Sequence, residues 1–225
     1  MPADLAGLLA DLAAETAVLD SLVARLDEAR WRAPTPAPGW SIHDQVTHLA
    51  YFDETAAQAA ADPDGFRAGA AELILLGDTF PDEIARRHAA LPPAGALAWF
   101  RRARAGYLAT FRGLDPRQRL PWYGPDMSAA SSVTARLMET WAHGQDIADT
   151  LGVWRPPSAR LRHVAHLGVM FRHLARFHQP RVVNHHHLVP LPAHARDAKG
   201  QRQPGQPRQN QQAFHLVIAL ELPGT

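Results

Sequence analysis

The sequence predicts an all-α protein: an up-and-down four-helix bundle with additional short helices and a poorly ordered C-terminal tail. Three observations carry this. Apolar residues recur at three- and four-residue steps over long segments, strand-like alternation is missing, and most connections are short.

The first helix is marked by Leu5, Leu8, Leu9, Leu12, Leu19, Leu22, Val23 and Leu26, with acidic and arginine residues between them. Pro34, Pro36 and Pro38 stop it and form a stiff connector to Gly39-Trp40. Ser41 is a good N-cap for the next helix, with Asp44 three residues on and Ile42, Val46, Leu49 and Phe52 behind it. That helix is expected to run to about Ala60, before Asp62-Pro63-Asp64-Gly65. Residues 66–92 read as weaker helix with a break near Pro81. Pro93 opens a third strong helix through Leu97, Phe100, Tyr107, Leu108 and Phe111. A loop over residues 120–127 leads to a fourth helix, capped by Ser131 or Ser132 and running through Leu151. Gly152 ends it, and Pro156-Pro157-Ser158 opens a fifth helix to about Phe177.

The chain has 225 residues, enough for one domain or one domain plus an appendage. A domain of this size buries roughly 70% of its unfolded surface and needs no disulfide or metal merely to fold. Its 23 basic and 22 acidic side chains leave a net charge of +1, which argues against a nucleic-acid binder or a polybasic membrane anchor. No cysteine is present, so disulfides, thiolate metal sites and a cysteine nucleophile are excluded. Any thiol chemistry must therefore arrive on a small molecule. No apolar run approaches the roughly 18 residues of a membrane span, and Met1-Pro-Ala-Asp-Leu lacks a basic signal-peptide region. A cytoplasmic protein is expected.

The chemistry centres on Arg136-Leu-Met-Glu139-Thr-Trp-Ala-His143-Gly-Gln-Asp146. Glu139 and His143 are four apart and share one helix face, where a carboxylate and an imidazole can hold one divalent cation. Position 138 is Met, so this is not the HExxH of zinc proteases. Such a pair also occurs as an ordinary surface contact, but Trp141 and Ala142 give it an apolar setting where a lone carboxylate is costly. His48, beside Leu49 and Phe52, is the candidate third ligand, or else a partly buried histidine that merely packs, the commoner case for one isolated histidine. Asp44 is placed to accept a hydrogen bond from its other ring nitrogen. His43 reads as a surface residue near the helix start.

Pro38-Gly-Trp-Ser-Ile-His-Asp-Gln-Val-Thr-His48-Leu, followed by Met138-Glu139-Thr-Trp-Ala-His143-Gly-Gln-Asp146, resembles the DinB/YfiT-like metalloprotein superfamily. Within it the chain is most similar to the metal-binding domain of mycothiol-dependent maleylpyruvate isomerases and to their actinobacterial relatives. The block from Trp122-Tyr-Gly-Pro to Leu151-Gly152 resembles those relatives in particular. The resemblance covers roughly residues 1–170 and implies a four-helix bundle holding one divalent ion, usually zinc. Matched residue by residue, the implied ligands are His48, Glu139 and His143. Three protein ligands leave a position open for water or substrate. The implied chemistry is mycothiol-dependent isomerisation or transfer, with a metal-activated thiolate acting on an electrophilic small molecule.

Four further residues are candidates for supporting or pocket roles: Asp44, Asp146, Arg136 and His166. Asp146 is placed to orient His143 or to face solvent. Arg136 is placed to hold an anionic substrate or, more simply, to pair with a carboxylate. His163 and His166 occupy one face of the fifth helix, and Trp122 and Tyr123 read as pocket walls or core aromatics.

Beyond residue 178 the composition turns rich in His, Gln, Pro and Arg. The expected division is a metal-binding helical domain over 1–178 and a low-complexity, disordered tail over 179–225. A shifted reading frame and a lineage-specific tail both account for the change. His185-His186-His187 would bind nickel or zinc weakly, without catalytic geometry. A non-catalytic metal- or ligand-binding bundle and a purely structural helical domain are the alternatives to an enzyme. A monomer or homodimer is expected, with no nucleic-acid partner.

Overall fold

A computed structural model describes residues 4–165. It is the all-α bundle expected from the periodicity. In chain order the helices are α1 (Leu5–Val23), α2 (Glu28–Trp31), α3 (Ile42–Ala61), α4 (Pro63–Ile74), α5 (Phe80–His88), α6 (Pro93–Phe111) and α7 (Ala129–Leu151). A two-residue antiparallel ribbon, β1 (Arg119–Leu120) with β2 (Met127–Ser128), closes the loop before α7. The four long helices α1, α3, α6 and α7 make the bundle, with α3 lying along α6 and α1 along α7. Helices α4 and α5 cover the outer side of α3. No helix among the described residues is long and apolar enough to cross a membrane.

Several boundaries differ from expectation, each for a local reason. The first helix stops at Val23, and Asp27 caps the separate short α2 by accepting the Arg30 N–H at 2.8 Å. Residues 66–92 split into α4 and α5 around a 3-10 turn at Gly77–Thr79, and Pro81 lies in the first turn of α5, where its missing N–H costs nothing. The cap of α7 is Ser128, which accepts the Ser131 N–H at 3.0 Å; Ser131 and Ser132 both lie inside the helix. The polar stretch before α7 hid this, because three serines compete for the cap and only Ser128 leaves the ribbon at the right point. Gly152 ends α7 at φ 67°, a left-handed conformation suited to glycine. Residues 161–165 are helical; the remainder of the expected fifth helix and the 179–225 tail lie outside the described residues.

The connector from residue 34 to 41 is a closed hairpin and no open spacer. Thr35 N–H donates to the Trp40 carbonyl at 2.8 Å, Pro34 bridges Ser41, and Gly39 supplies φ 81° for the turn. Ser41 and Asp44 then form a reciprocal capping box at the start of α3. Ser41→Ala is expected to cost about 1 kcal/mol, read as a lowered urea midpoint with an unchanged m-value.

The bundle interior divides into two apolar halves. One holds Leu8, Leu12, Tyr107, Phe111 and Leu137; the other holds Leu19, Val46, Leu49, Phe100 and Ile147. Between them, one polar layer draws on all four helices. Asp53 of α3 accepts from Arg104 Nε at 2.7 Å and from Arg136 Nε at 3.0 Å. Arg104 also donates to Thr16 and Thr140, and Arg136 to the Leu49 carbonyl. Asp53 is fully buried, and the two arginines are 2% and 3% exposed. A third apolar cluster, Phe52, Phe66, Phe80 and Tyr123, packs α4 and α5 onto α3.

Candidate metal centre

Helix α3 buries Ile42, Val46 and Leu49 as an ordinary amphipathic helix would, but it also buries His43, Gln45, Thr47, His48 and Asp53. Covering such groups is costly unless they have partners. Helix α7 supplies Glu139 to His48, His143 and Asp146 to Gln45, and Arg136 to Asp53; Thr35, and Arg104 of α6, add to the last two. Glu139 and His143, one helical turn apart, face His48 across the α3–α7 contact.

Two imidazole nitrogens converge on one carboxylate oxygen. His48 Nε2 is 3.2 Å from Glu139 Oε2, and His143 Nε2 is 3.1 Å from the same atom. The donor atoms of His48, Glu139 and His143 all lie within 4.8 Å of one another. For ligand bonds of about 2.0–2.1 Å, adjacent donors of a tetrahedral ion stand about 3.3 Å apart. The two separations, 3.2 and 3.1 Å, lie close to that edge length. Glu139 is the most open of the three, with its side chain 13% exposed against 3% for His48 and 11% for His143. The cluster is therefore buried on the protein side and accessible on one.

Aromatic rings wall it. Trp40 lies 5.9 Å from His143, nearly parallel at 7°, and 5.1 Å from His48. Phe52 sits 4.6 Å from His48. Trp40 is itself aimed by its Nε1–H, which donates to Asp82 of α5 at 2.7 Å. Its place in the Pro38-Gly-Trp turn was visible in the sequence, but only the closed hairpin puts the indole over the histidines.

The electrostatics suit an ion. Burial pushes His48 down to about 3, so its imidazole is neutral and free to ligate. Burial opposes the charge of Glu139, yet hydrogen bonds with His143 and His48 hold its carboxyl well below the usual carboxylate range. His48 Nδ1 is buried with no hydrogen-bond partner among the described residues. The three donor atoms face one another across one small volume. A cation at their centre satisfies all three, so the donor set fits a divalent metal.

The shift at His48 carries a stability consequence. The native state refuses a proton that the unfolded chain accepts below about pH 6.5. Metal-free protein should therefore lose stability as pH falls from about 6.5 toward 3. His48→Leu should flatten this part of the curve, as read by urea unfolding at a series of pH values. An unchanged slope would show that His48 is not held neutral.

Of the supporting candidates, Asp44 does not reach His48. Its carboxylate is taken by the capping box, accepting from Ser41 N–H at 2.8 Å and Ser41 Oγ–H at 2.6 Å. His43 is not a surface residue either: it is fully buried and donates Nε2–H to the Leu91 carbonyl at 2.9 Å. The packing of α6 and its preceding loop against α3 covers it, which local sequence does not reveal. Arg136 is committed to Asp53 rather than to a substrate. Asp146 is linked to His143 through Gln45, whose Nε2 donates to Asp146 Oδ2 at 3.2 Å while its Oε1 accepts from His143 Nδ1. His163 lies 3.1 Å from Asp11 on α1, away from the cluster. Trp122 and Tyr123 pack with Phe52 and Phe66 as core aromatics. His166 lies outside the described residues.

Comparison with known proteins adds a family context. The description "mycothiol maleylpyruvate isomerase N-terminal domain" matches residues 12–148, a span that contains all three converging residues. Two uncharacterised proteins of Mycobacterium tuberculosis strains are each 47% identical over 177 residues, covering 77% of this chain and 67% of theirs. Among solved structures, a histidine-to-alanine mutant of the mycothiol-dependent maleylpyruvate isomerase is similar at TM-score 0.53 and 15% identity, covering 71% of this chain and 67% of that one. The unmutated isomerase gives TM-score 0.50 at 15% identity, over 64% and 60% of the two chains. At that identity the likeness concerns the fold.

Proposed function

The chain belongs to the mycothiol maleylpyruvate isomerase N-terminal domain family, and on that premise we propose that it binds one divalent metal ion, zinc or a similar ion, through His48, Glu139 and His143 and uses a low-molecular-weight thiol such as mycothiol to isomerise or transfer to an electrophilic small molecule. The observation that carries the reading is the convergence of His48 Nε2 and His143 Nε2 on Glu139 Oε2 at 3.2 and 3.1 Å, in a setting where His48 is held neutral. When bound, such an ion lowers the pKa of a thiol at its open position, so that thiolate is available near neutral pH.

The protein's own groups define the rest. Glu139 sits at the open edge and offsets one unit of the ion's charge. Trp40 and Phe52 exclude water from the histidine side and leave the solvent side for thiol and substrate. The chain has no cysteine to compete for the ion or to serve as an internal nucleophile. Arg136 is tied to Asp53, so an anionic substrate meets the metal side of the pocket and not a free guanidinium there.

The test is turnover of maleylpyruvate by zinc-loaded protein with and without mycothiol, alongside mass spectrometry for thiol adducts of other unsaturated acids. The expected result is conversion that needs both thiol and ion and is lost in Glu139→Leu. Loaded protein that neither isomerises nor forms adducts would leave a non-catalytic metal-binding bundle.

A further inference from the structure

We propose that Gln45 is the positioning residue of this centre: it fixes which nitrogen of His143 faces the ion and passes on, in moderated form, the negative charge of Asp146. The inference rests on the metal reading above and deepens it.

The amide can sit only one way. Gln45 Nε2 faces the carboxylate oxygen Asp146 Oδ2 at 3.2 Å and Thr35 Oγ1 at 2.9 Å. A carboxylate only accepts, so the amide NH2 must point there. Thr35 Oγ–H is already donated to the Trp40 carbonyl at 2.8 Å, which leaves its oxygen to accept as well. The other end of the amide, Oε1, then faces His143 Nδ1, and an amide oxygen only accepts. His143 Nδ1 therefore carries a proton, and Nε2 is the nitrogen turned to Glu139 and the ion site. Gln45 is fully buried, so water does not compete for these bonds.

Two features make this more than packing. Metal-bound histidines commonly donate their second N–H directly to a carboxylate or a carbonyl. Here a neutral amide stands between His143 and the nearby carboxylate, so the imidazole is oriented without the full push of a charge, and the ion keeps more of its power to polarise a ligand. His48 shows the contrast: its Nδ1 has no such partner among the described residues, and Trp40 and Phe52 hold the ring instead. The same relay also ties the hairpin before α3 to the site. Thr35 binds both Gln45 and the carbonyl of Trp40, whose ring covers His143.

The test uses full-length protein and zinc alone. Long-range nitrogen–proton NMR of the imidazoles reads the tautomer directly, with the His143 signals assigned by their loss in His143→Gln. The expected result is a proton on His143 Nδ1, present before and after zinc is added. Competition against a chromophoric chelator then gives zinc affinity for the wild type, Gln45→Leu and the exchanged pair Gln45→Glu/Asp146→Asn. Gln45→Leu should bind about 10–100-fold more weakly. The exchanged pair keeps the total charge. It lets a carboxylate at position 45 accept from both His143 and an amide at position 146, and it should return to within a few-fold of wild type. A bare Nδ1 in the wild type overturns the proposal, as does Gln45→Leu binding zinc as tightly as wild type, or a folded exchanged pair as weak as Gln45→Leu. Wild type that takes up no zinc overturns the metal reading beneath it, and the tautomer still judges the hydrogen-bond relay separately.

Discussion

Asp53→Ala is expected to destabilise the bundle by about 3–5 kcal/mol, a large part of the 5–15 kcal/mol that holds a typical domain folded. The carboxylate is fully buried and serves two guanidinium groups, Arg104 at 2.7 Å and Arg136 at 3.0 Å. Removing it leaves two arginines buried with no counter-charge, while Thr16, Thr140 and the Leu49 carbonyl can satisfy only part of their hydrogen bonding. The variant should unfold at much lower urea concentration or fail to accumulate as folded protein. Asp53→Asn restores the shape without the charge and should lie between the two. A loss under 1 kcal/mol in Asp53→Ala would mean that the layer is hydrated or rearranges, contrary to the closed geometry seen.

The second large effect runs the other way, costing metal and not the fold. Glu139→Leu removes the only charged donor of the cluster, so zinc affinity should fall by more than the 10–100-fold associated with an outer partner, which is beyond about 2.7 kcal/mol at the upper figure. The metal-free protein should keep its stability or gain a little, because a buried carboxylate flanked by two imidazoles is exchanged for an apolar side chain. A residue retained for its chemistry is expected to behave like this, with function lost and stability spared. Parallel chelator competition and urea unfolding check both halves. A variant that loses stability but keeps zinc affinity would assign Glu139 a structural role.

Much of this was legible in the sequence, and what was not has physical reasons. The four bundle helices followed from apolar spacing, because a helix that must bury one face repeats at 3.6 residues whatever its partner. His48, Glu139 and His143 were legible through the motifs they sit in, and the structure brings the three together. Asp53 left a signal: with Leu49 and Ala56 it occupies one helical stripe, and a charge in such a stripe needs a buried partner. Gln45, three residues before His48, left a similar trace. Asp53 pairs with Arg104 and Arg136, 51 and 83 positions away, and Gln45 meets His143 98 positions away, so no local pattern names these mates. Asp44 misled because one carboxylate had two plausible uses, the cap and the histidine, and the cap is closer. The exposure expected of His43 failed because the loop before α6, not α3 itself, decides it.

One ion held by His48, Glu139 and His143 is read out by metal stoichiometry. Full-length protein without an added histidine tag is stripped with chelator, supplied with excess zinc, desalted and analysed for zinc per chain beside a His48→Ala/Glu139→Leu variant. The comparison cancels weak binding by His185-His186-His187, which both proteins carry. The expected difference is about one ion per chain, from the three-ligand geometry of a single site. Equal zinc in the two folded proteins would contradict it.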